Sequence, residues 1–520
     1  MNRHTALDTI ESHDGPWDVI IIGGGATGLG AAIDAASRGY DALILEQSDF
    51  AKATSGRSTK LVHGGVRYLQ QGNVSLVLEA LKERGFLFKN APHLVRNLSF
   101  VVPNYDWWEG PFYGIGLKLY DMLAGKQGFG RSRLLSRQAT LEQLPTIEPA
   151  GLRGGVIYYD GQFDDARLAI NMAQTVVDQG GTPINYMRVT GLTKRNGVVD
   201  GVIARDLEGD TEHELKAKAV VNATGIFTDS IRRLDEPGVR PMIRPSQGVH
   251  IVLERSFLPG NSAVMVPKTD DGRVLFAIPW RDRIVVGTTD TPLESVELEP
   301  RPLQEEVDFL LEHAARYLAK VPSSQDVRSM FAGIRPLVSL GDKGNTSQVS
   351  RDHTLYISPS GLVTITGGKW TTYRKMAEDT IDHVSTLAQL EERPSVTKDL
   401  PIHGWHRNAD QFGALDTYGA DAPSIQELTR RRPELDQPIH DRLPYRAVEV
   451  VWAVRQEMAR TLDDVLARRT RSLILDAAAS LDAAPQVARL MAAELGRDDD
   501  WATRQVDAYR DIAAGYLTQS

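Results

Sequence analysis

Residues 17–23 (WDVIIIG) form a short apolar run with Asp18 its one charged residue, the pattern of a strand buried on both faces. Residues 28–38 then read as a helix, and residues 41–46 (DALILE) as a second strand. Together they predict a βαβ unit. Val74, Val77, Leu78 and Leu81 mark one face of a later helix, and residues 303–318 repeat the pattern through Leu303, Val307, Leu310, Leu311, Ala314 and Leu318. Further strands are expected at residues 198–205, 220–223, 249–253, 274–278, 284–287 and 362–366. The texture changes near residue 395. Residues 401–444 are rich in Pro, Gly and Asp, and only helical patterns follow. Val451, Val454, Met458, Leu462 and Val465 line one predicted face, and an Ala-rich stretch spans residues 473–495. The expected organisation is a tail at 1–16, two domains interleaved through 17–395, and an all-helical domain at 396–520 in a supporting role. The second interleaved domain would take roughly residues 75–160 and 240–345.

Composition narrows the class. The net charge of -9 argues against a general nucleic-acid binder. The absence of cysteine removes disulfides, thiolate metal sites and a cysteine-linked flavin together. Residues 1–16 hold no apolar signal core, and no apolar run approaches the ~18 residues that span a bilayer. A transmembrane chain is not expected; a cytoplasmic protein is, with attachment to the membrane surface left open.

The glycine cluster after the first strand carries the chemistry. Gly23, Gly25 and Gly28 fit G-x-G-x-x-G, with Ala26 and Thr27 between the last two. The motif joins a strand to a helix, and Glu46 ends the next strand, where it can accept hydrogen bonds from ribose hydroxyls. The helix N-terminus offers N–H groups and a positive dipole to a pyrophosphate. Two later segments favour FAD over NAD. Ala223, Thr224 and Gly225 end a strand of the kind that closes over FAD in two-domain flavoproteins. Gly367, Gly368 and Lys369 make a second glycine turn entering a helix, which a nicotinamide enzyme does not need. That turn is not a P-loop, because Trp370 follows the lysine. The fold class is α/β: a Rossmann-type FAD-binding domain of the two-domain flavoprotein oxidoreductase type, a mixed-sheet substrate domain, and the helical C-terminal domain.

Residues 56–69 (GRSTKLVHGGVRYL) closely resemble the flavin-loop signature of FAD-dependent glycerol-3-phosphate dehydrogenases. The resemblance continues in residues 80–84 (ALKER), 159–161 (YDG), 286–290 (VGTTD), 333–337 (GIRPL), 350–352 (SRD), 367–374 (GGKWTTYR) and 461–472 (TLDDVLARRTRS), in order, over roughly residues 17–480. It implies oxidation of sn-glycerol 3-phosphate to dihydroxyacetone phosphate, with electrons passed through FAD to a quinone at a membrane; non-covalent FAD is expected because no cysteine is present to carry a link. It also implies flavin contacts at Ser58, Lys60, His63 and Gly64, and substrate contacts at Arg67, Tyr68, His250, Arg335, Arg351 and Lys369.

The residue types suit that chemistry. A phosphate dianion calls for cations, and arginine's planar fork matches it. His250 is the candidate base, with Arg335 and Lys369 holding developing negative charge. Structural roles stand beside these: an ion pair for Arg335, a local pair with Asp352 for Arg351, a strand-edge position for His250, and a turn near the flavin for His63. His63 would also be the suspect for a covalent flavin link. Residues 107–123 (WWEGPFYGIGLKLYDML), followed by Lys126, Arg131 and Arg133, are either core, a lid, or an interfacial membrane anchor. Competing functions are an oxidase that reduces O₂, a flavin-binding sensor, and an amine-oxidising relative; the several cations argue against the last two. The oligomeric state is not legible.

Overall fold

The computed structural model describes residues 1–65, 73–107, 109–125, 128–267, 269, 272–339 and 353–518. Arg67, Tyr68, Arg351, Trp108 and Lys126 lie outside the described residues.

The first apolar run becomes the strand Trp17–Ile22 at the middle of a parallel sheet. The strand order is Thr182–Ile184, Ala42–Leu45, Trp17–Ile22, Glu212–Asn222, Val363–Gly367, with His353–Ile357 added antiparallel at one edge. Ile20 registers with Leu43 on one side and Val220 on the other. All three are essentially inaccessible to solvent, each side chain contributing about 1.5–3 kcal/mol. Helix Ala26–Ser37 covers this sheet and packs between Asp165–Asp178 and Tyr373–Leu387. The βαβ unit is therefore completed by a strand and a helix from far down the chain.

The second sheet is built from antiparallel pairs. Its central pairing is Ile243–Glu254 with Val327–Val338, and Val95–Asn104 with Gly154–Phe163 forms its other half. Strand Ala263–Val266 joins the halves by pairing parallel to Val95–Asn104. Helix Gln304–Tyr317 lies against the strand Ile243–Glu254 and buries Val307, Leu310 and Ala314.

Two expectations about the chain ends change. Residues 1–16 are not a tail. Asn2 caps the helix Arg3–Ser12 by accepting from His4 N at 2.9 Å, and Arg3 is buried against Asp206 at 2.5 Å. Nor is there one helix through Val451 and Val465. Ala447–Gln456 ends, Met458 takes a positive φ of 56°, and a wide turn follows at Asp464–Arg469. That reversal delivers charges into the interior. Arg469 Nη2 donates to Asp49 Oδ1 at 2.9 Å, Arg468 also pairs with Asp49, and Arg471 reaches Asp165 at 2.9 Å. Asp49 and Asp165 are fully buried; the tail supplies the counter-charge of Asp49 and shares that of Asp165 with Lys60. The helical unit also shares a core with the second sheet, through Val252, Trp280, Val285 and Phe331.

Candidate active site

A cavity of about 540 Å³ opens at the C-terminal ends of the parallel strands, where open α/β sheets bind ligands. Gly23, Gly25, Ala26, Thr27, Glu46, Ala223, Thr224, Gly225, Gly367, Gly368 and Lys369 all line it. The glycines are dictated by geometry. Gly23 has a φ of 111°, and a Cβ on Gly28 would collide with the Gly23 carbonyl oxygen. Gly28 thus serves helix–turn packing beneath the cavity wall. Gly25, at the N-cap of Ala26–Ser37, brings no capping side chain. Ala26 N donates to Ser55 Oγ at 3.0 Å. A glycine cradle, a helix N-terminus and a carboxylate at the next strand end are the features a dinucleotide's pyrophosphate and ribose require, so the residues fit FAD.

Glu46 is tightly held. It accepts from Gly24 N at 2.6 Å and from Ser48 N at 2.8 Å. Burial nevertheless pushes its carboxyl pKa up to about 7. The loop at residues 51–55 also lines the cavity, a contribution missed in the sequence. Ser55 ties that loop to the second glycine turn: its carbonyl accepts from Trp370 Nε1 at 2.9 Å. A run of small residues there was the available signal.

A second cavity of about 240 Å³ is lined by Thr59, His63, Arg273, Asp290 and Arg335, with an apolar wall of Phe100, Tyr158, Met265 and Phe276. Arg335 lines this cavity while its neighbour Pro336 lines the larger one. Successive strand residues face opposite ways, so a single strand divides the two spaces. Thr54 Oγ1 fastens the flavin-side loop to that strand, donating to Ile334 O at 2.6 Å. The Arg335 fork is fixed by its own chain. Nη1 meets Asp290 Oδ1 at 3.0 Å, and Nη2 donates to Thr289 O at 3.0 Å and Thr288 Oγ1 at 3.1 Å. It therefore offers a rigid, partly neutralised cation to the cavity.

Several predicted site residues sit elsewhere. Ser58 and Lys60 line neither cavity. Both turn to Asp165, at 2.7 Å each, in a buried cluster with Arg471. Burial lowers the Lys60 pKa to about 8. Gly64 packs against Tyr120, whose hydroxyl accepts from Gly64 N at 2.8 Å. His63 lines the second cavity, with its N–H on Thr371 Oγ1 at 3.2 Å. His250 is buried behind the wall, stacked on Phe331 at 4.8 Å between ring centroids. Its Nε2 is 2.9 Å from Thr59 Oγ1. Burial, then Lys60 and Arg335, hold its pKa well below the usual imidazole value. Lys369 belongs to the larger cavity and not to the one holding Arg335.

The chain matches the FAD dependent oxidoreductase family over residues 18–374, and the C-terminal domain of alpha-glycerophosphate oxidase over residues 363–502. It is 39% identical to the mitochondrial glycerol-3-phosphate dehydrogenase of Mus musculus, across 99% of this chain and 75% of that one. It is 40% identical to the probable mitochondrial glycerol-3-phosphate dehydrogenase of Caenorhabditis elegans, across 96% and 73%. The crystal structure of the glycerol-3-phosphate dehydrogenase from Bacillus halodurans complexed with FAD superposes with a TM-score of 0.80, at 29% identity, covering 100% of this chain and 99% of that one. With the glycine cradle, the two adjoining cavities and these relatives in agreement, the chain belongs to the FAD-dependent oxidoreductase family, among its glycerol-3-phosphate dehydrogenases.

Proposed function

We propose that this protein oxidises sn-glycerol 3-phosphate to dihydroxyacetone phosphate, with FAD held non-covalently in the larger cavity and a membrane quinone as final acceptor. The observation that carries the reading is the division of the two cavities by one strand, which puts Arg335 on the small polar side and Pro336 on the dinucleotide side. FAD, when bound, supplies the hydride acceptor. The glycine turns at Gly23 and Gly367 would hold its phosphates and its far end, and Glu46 its ribose. Arg335 would attract the substrate phosphate as a fixed charge, and the apolar wall of Phe100, Tyr158 and Met265 would exclude water from the carbon skeleton.

The acceptor side rests on one helix. Glu109–Ala124 carries Phe112, Ile115, Leu119 and Met122 at helical spacing on its outer face. Ile115 is 72% and Met122 78% exposed, and Trp107 at 78% extends the patch. Tyr113 and Leu117, on the inner face, pack on the same cluster as Phe100, Tyr158 and Met265. Arg131 and Arg133 are exposed nearby. Aromatic and aliphatic side chains beside arginines suit a bilayer interface. Among the described residues no helix is long and apolar enough to cross a membrane. A lipid-soluble acceptor would therefore be met at this face, against the wall of the substrate-sized cavity.

Anaerobic addition of glycerol 3-phosphate to the purified yellow protein should bleach the flavin absorbance, and glycerol should do so poorly. Bleaching by glycerol and not by its phosphate would overturn the substrate assignment. Flavin that stays with the acid-precipitated chain would overturn non-covalent binding.

A further inference from the structure

We propose that the Thr59 hydroxyl relays the substrate's alcohol proton to His250, an inference that rests on the alcohol-oxidising reading above. His250 cannot reach the substrate-sized cavity itself. Its ring lies against Gly287, where a Cβ would collide with it, and is stacked at 11° on Phe331. A ring clamped on both faces, at 3% exposure, has no room to swing. Thr59 has the complementary placement. It lines the cavity beside His63 and Arg335, and its Oγ1 sits 2.9 Å from His250 Nε2. That is the hydrogen bond the ring makes among the described residues; Nδ1 has no partner there.

The protons balance in one tautomer. With hydrogen on Nδ1, Nε2 accepts from the Thr59 hydroxyl, and the Thr59 oxygen keeps a lone pair for the substrate. As the hydride leaves the substrate carbon, the alcohol O–H bond breaks toward Thr59 Oγ1. The Thr59 O–H bond breaks toward Nε2, and the substrate becomes a ketone. Thr59 ends as it began, and His250 carries the extra proton. Lys60 and Arg335 disfavour that cation in the free protein. A phosphate dianion arriving beside Arg335 opposes them, so the base strengthens when substrate binds. Lys60 stays pinned to Asp165 and does not compete for the hydrogen bond.

The test follows anaerobic flavin bleaching by glycerol 3-phosphate in the holoenzyme and its Thr59→Val, Thr59→Ser, His250→Ala and Thr59→Val/His250→Ala variants. Thr59→Val should slow bleaching about 10²–10³-fold, with saturation at an unchanged substrate concentration. Thr59→Ser should restore it. The double variant should be no slower than the worse single one, because a serial relay is broken once. A Thr59→Val holoenzyme that bleaches at the wild-type rate would overturn the relay, as would single losses that multiply in the double variant. Thr59→Ser checks that any loss reflects the hydroxyl and not the fold; a serine form as slow as valine also overturns the relay. A wild-type flavin left unbleached would instead sink the alcohol-oxidising reading, and the relay with it.

Discussion

Glu46 should make FAD affinity depend on pH. Its pKa of about 7 in the ligand-free protein means that at neutral pH half of the molecules carry a protonated carboxyl facing the cavity. A ribose hydroxyl donates to the ionised form, so FAD binding expels that proton. The sign follows from linkage. The folded, ligand-free state holds a proton that the unfolded chain releases near its ordinary value of 4.5. Its own stability therefore falls as pH rises from that value through about 7, while FAD affinity climbs over the upper part of the range. With about one-tenth of Glu46 ionised at pH 6 and nine-tenths at pH 8, the FAD dissociation constant should be about tenfold weaker at the lower pH, or about 1.4 kcal/mol. The flavin pyrophosphate keeps its charge across this window and adds no slope. Titrating flavin-stripped protein with FAD, following flavin fluorescence at several pH values, measures the effect. Glu46→Gln should bind weakly at every pH and show no slope. An affinity that is flat in the native protein, or a slope that survives in Glu46→Gln, would refute the reasoning.

Arg335→Ala should raise the apparent KM for glycerol 3-phosphate about tenfold, roughly 1.5 kcal/mol; Asp290 already offsets part of its charge, which places the loss at the lower end for a charged contact. An unchanged KM would make the arginine structural. Arg469→Met leaves Asp49 short of a buried partner and should destabilise the protein by about 3–5 kcal/mol, read from the urea midpoint, with Asp49→Asn in the same chain recovering part of it. Phe112→Ser, Ile115→Ser and Met122→Ser together should reduce liposome binding and quinone-coupled turnover while sparing activity with a soluble dye. Equal loss with both acceptors would make the face packing surface.

The dinucleotide half of the fold was legible because close backbone approach leaves glycines in the sequence. Gly23 and Gly28 are fixed by collisions that any side chain would cause, and the strand Trp17–Ile22 is apolar but for Asp18 because both its faces are covered. The second sheet was less so. Parts of three strands were visible, at residues 249–253, 274–278 and 284–287, but Val95–Asn104, Gly154–Phe163 and Val327–Val338 were not, and the pairing of Ile243–Glu254 with Val327–Val338 depends on contacts between distant segments. The same limit applies to single residues. His250 reads as an accessible base, yet Gly287 and Phe331 from neighbouring strands enclose it. Lys60 reads as a flavin contact, yet Asp165 draws it inward. Thr59 gave no signal, since a hydroxyl in a loop is commonplace until its partner is known. In the tail, Met458 fits the helical spacing of its neighbours, and the positive φ that breaks the helix there serves charges beyond the local pattern.

The arginines at 468, 469 and 471 set an order of events during synthesis. They are made long after Asp49 and Asp165. Until they arrive, Asp49 lacks both of its arginine partners and Asp165 has Lys60 without Arg471, so the loop at residues 51–55, next to Asp49, should be slow to take the form that lines the dinucleotide cavity. Flavin loading should therefore wait until these arginines have been made. A chain that stalls or is cut before Arg468 has every glycine of the nucleotide motif and should still hold its cofactor poorly, so colour should report on the tail as well as on the nucleotide half.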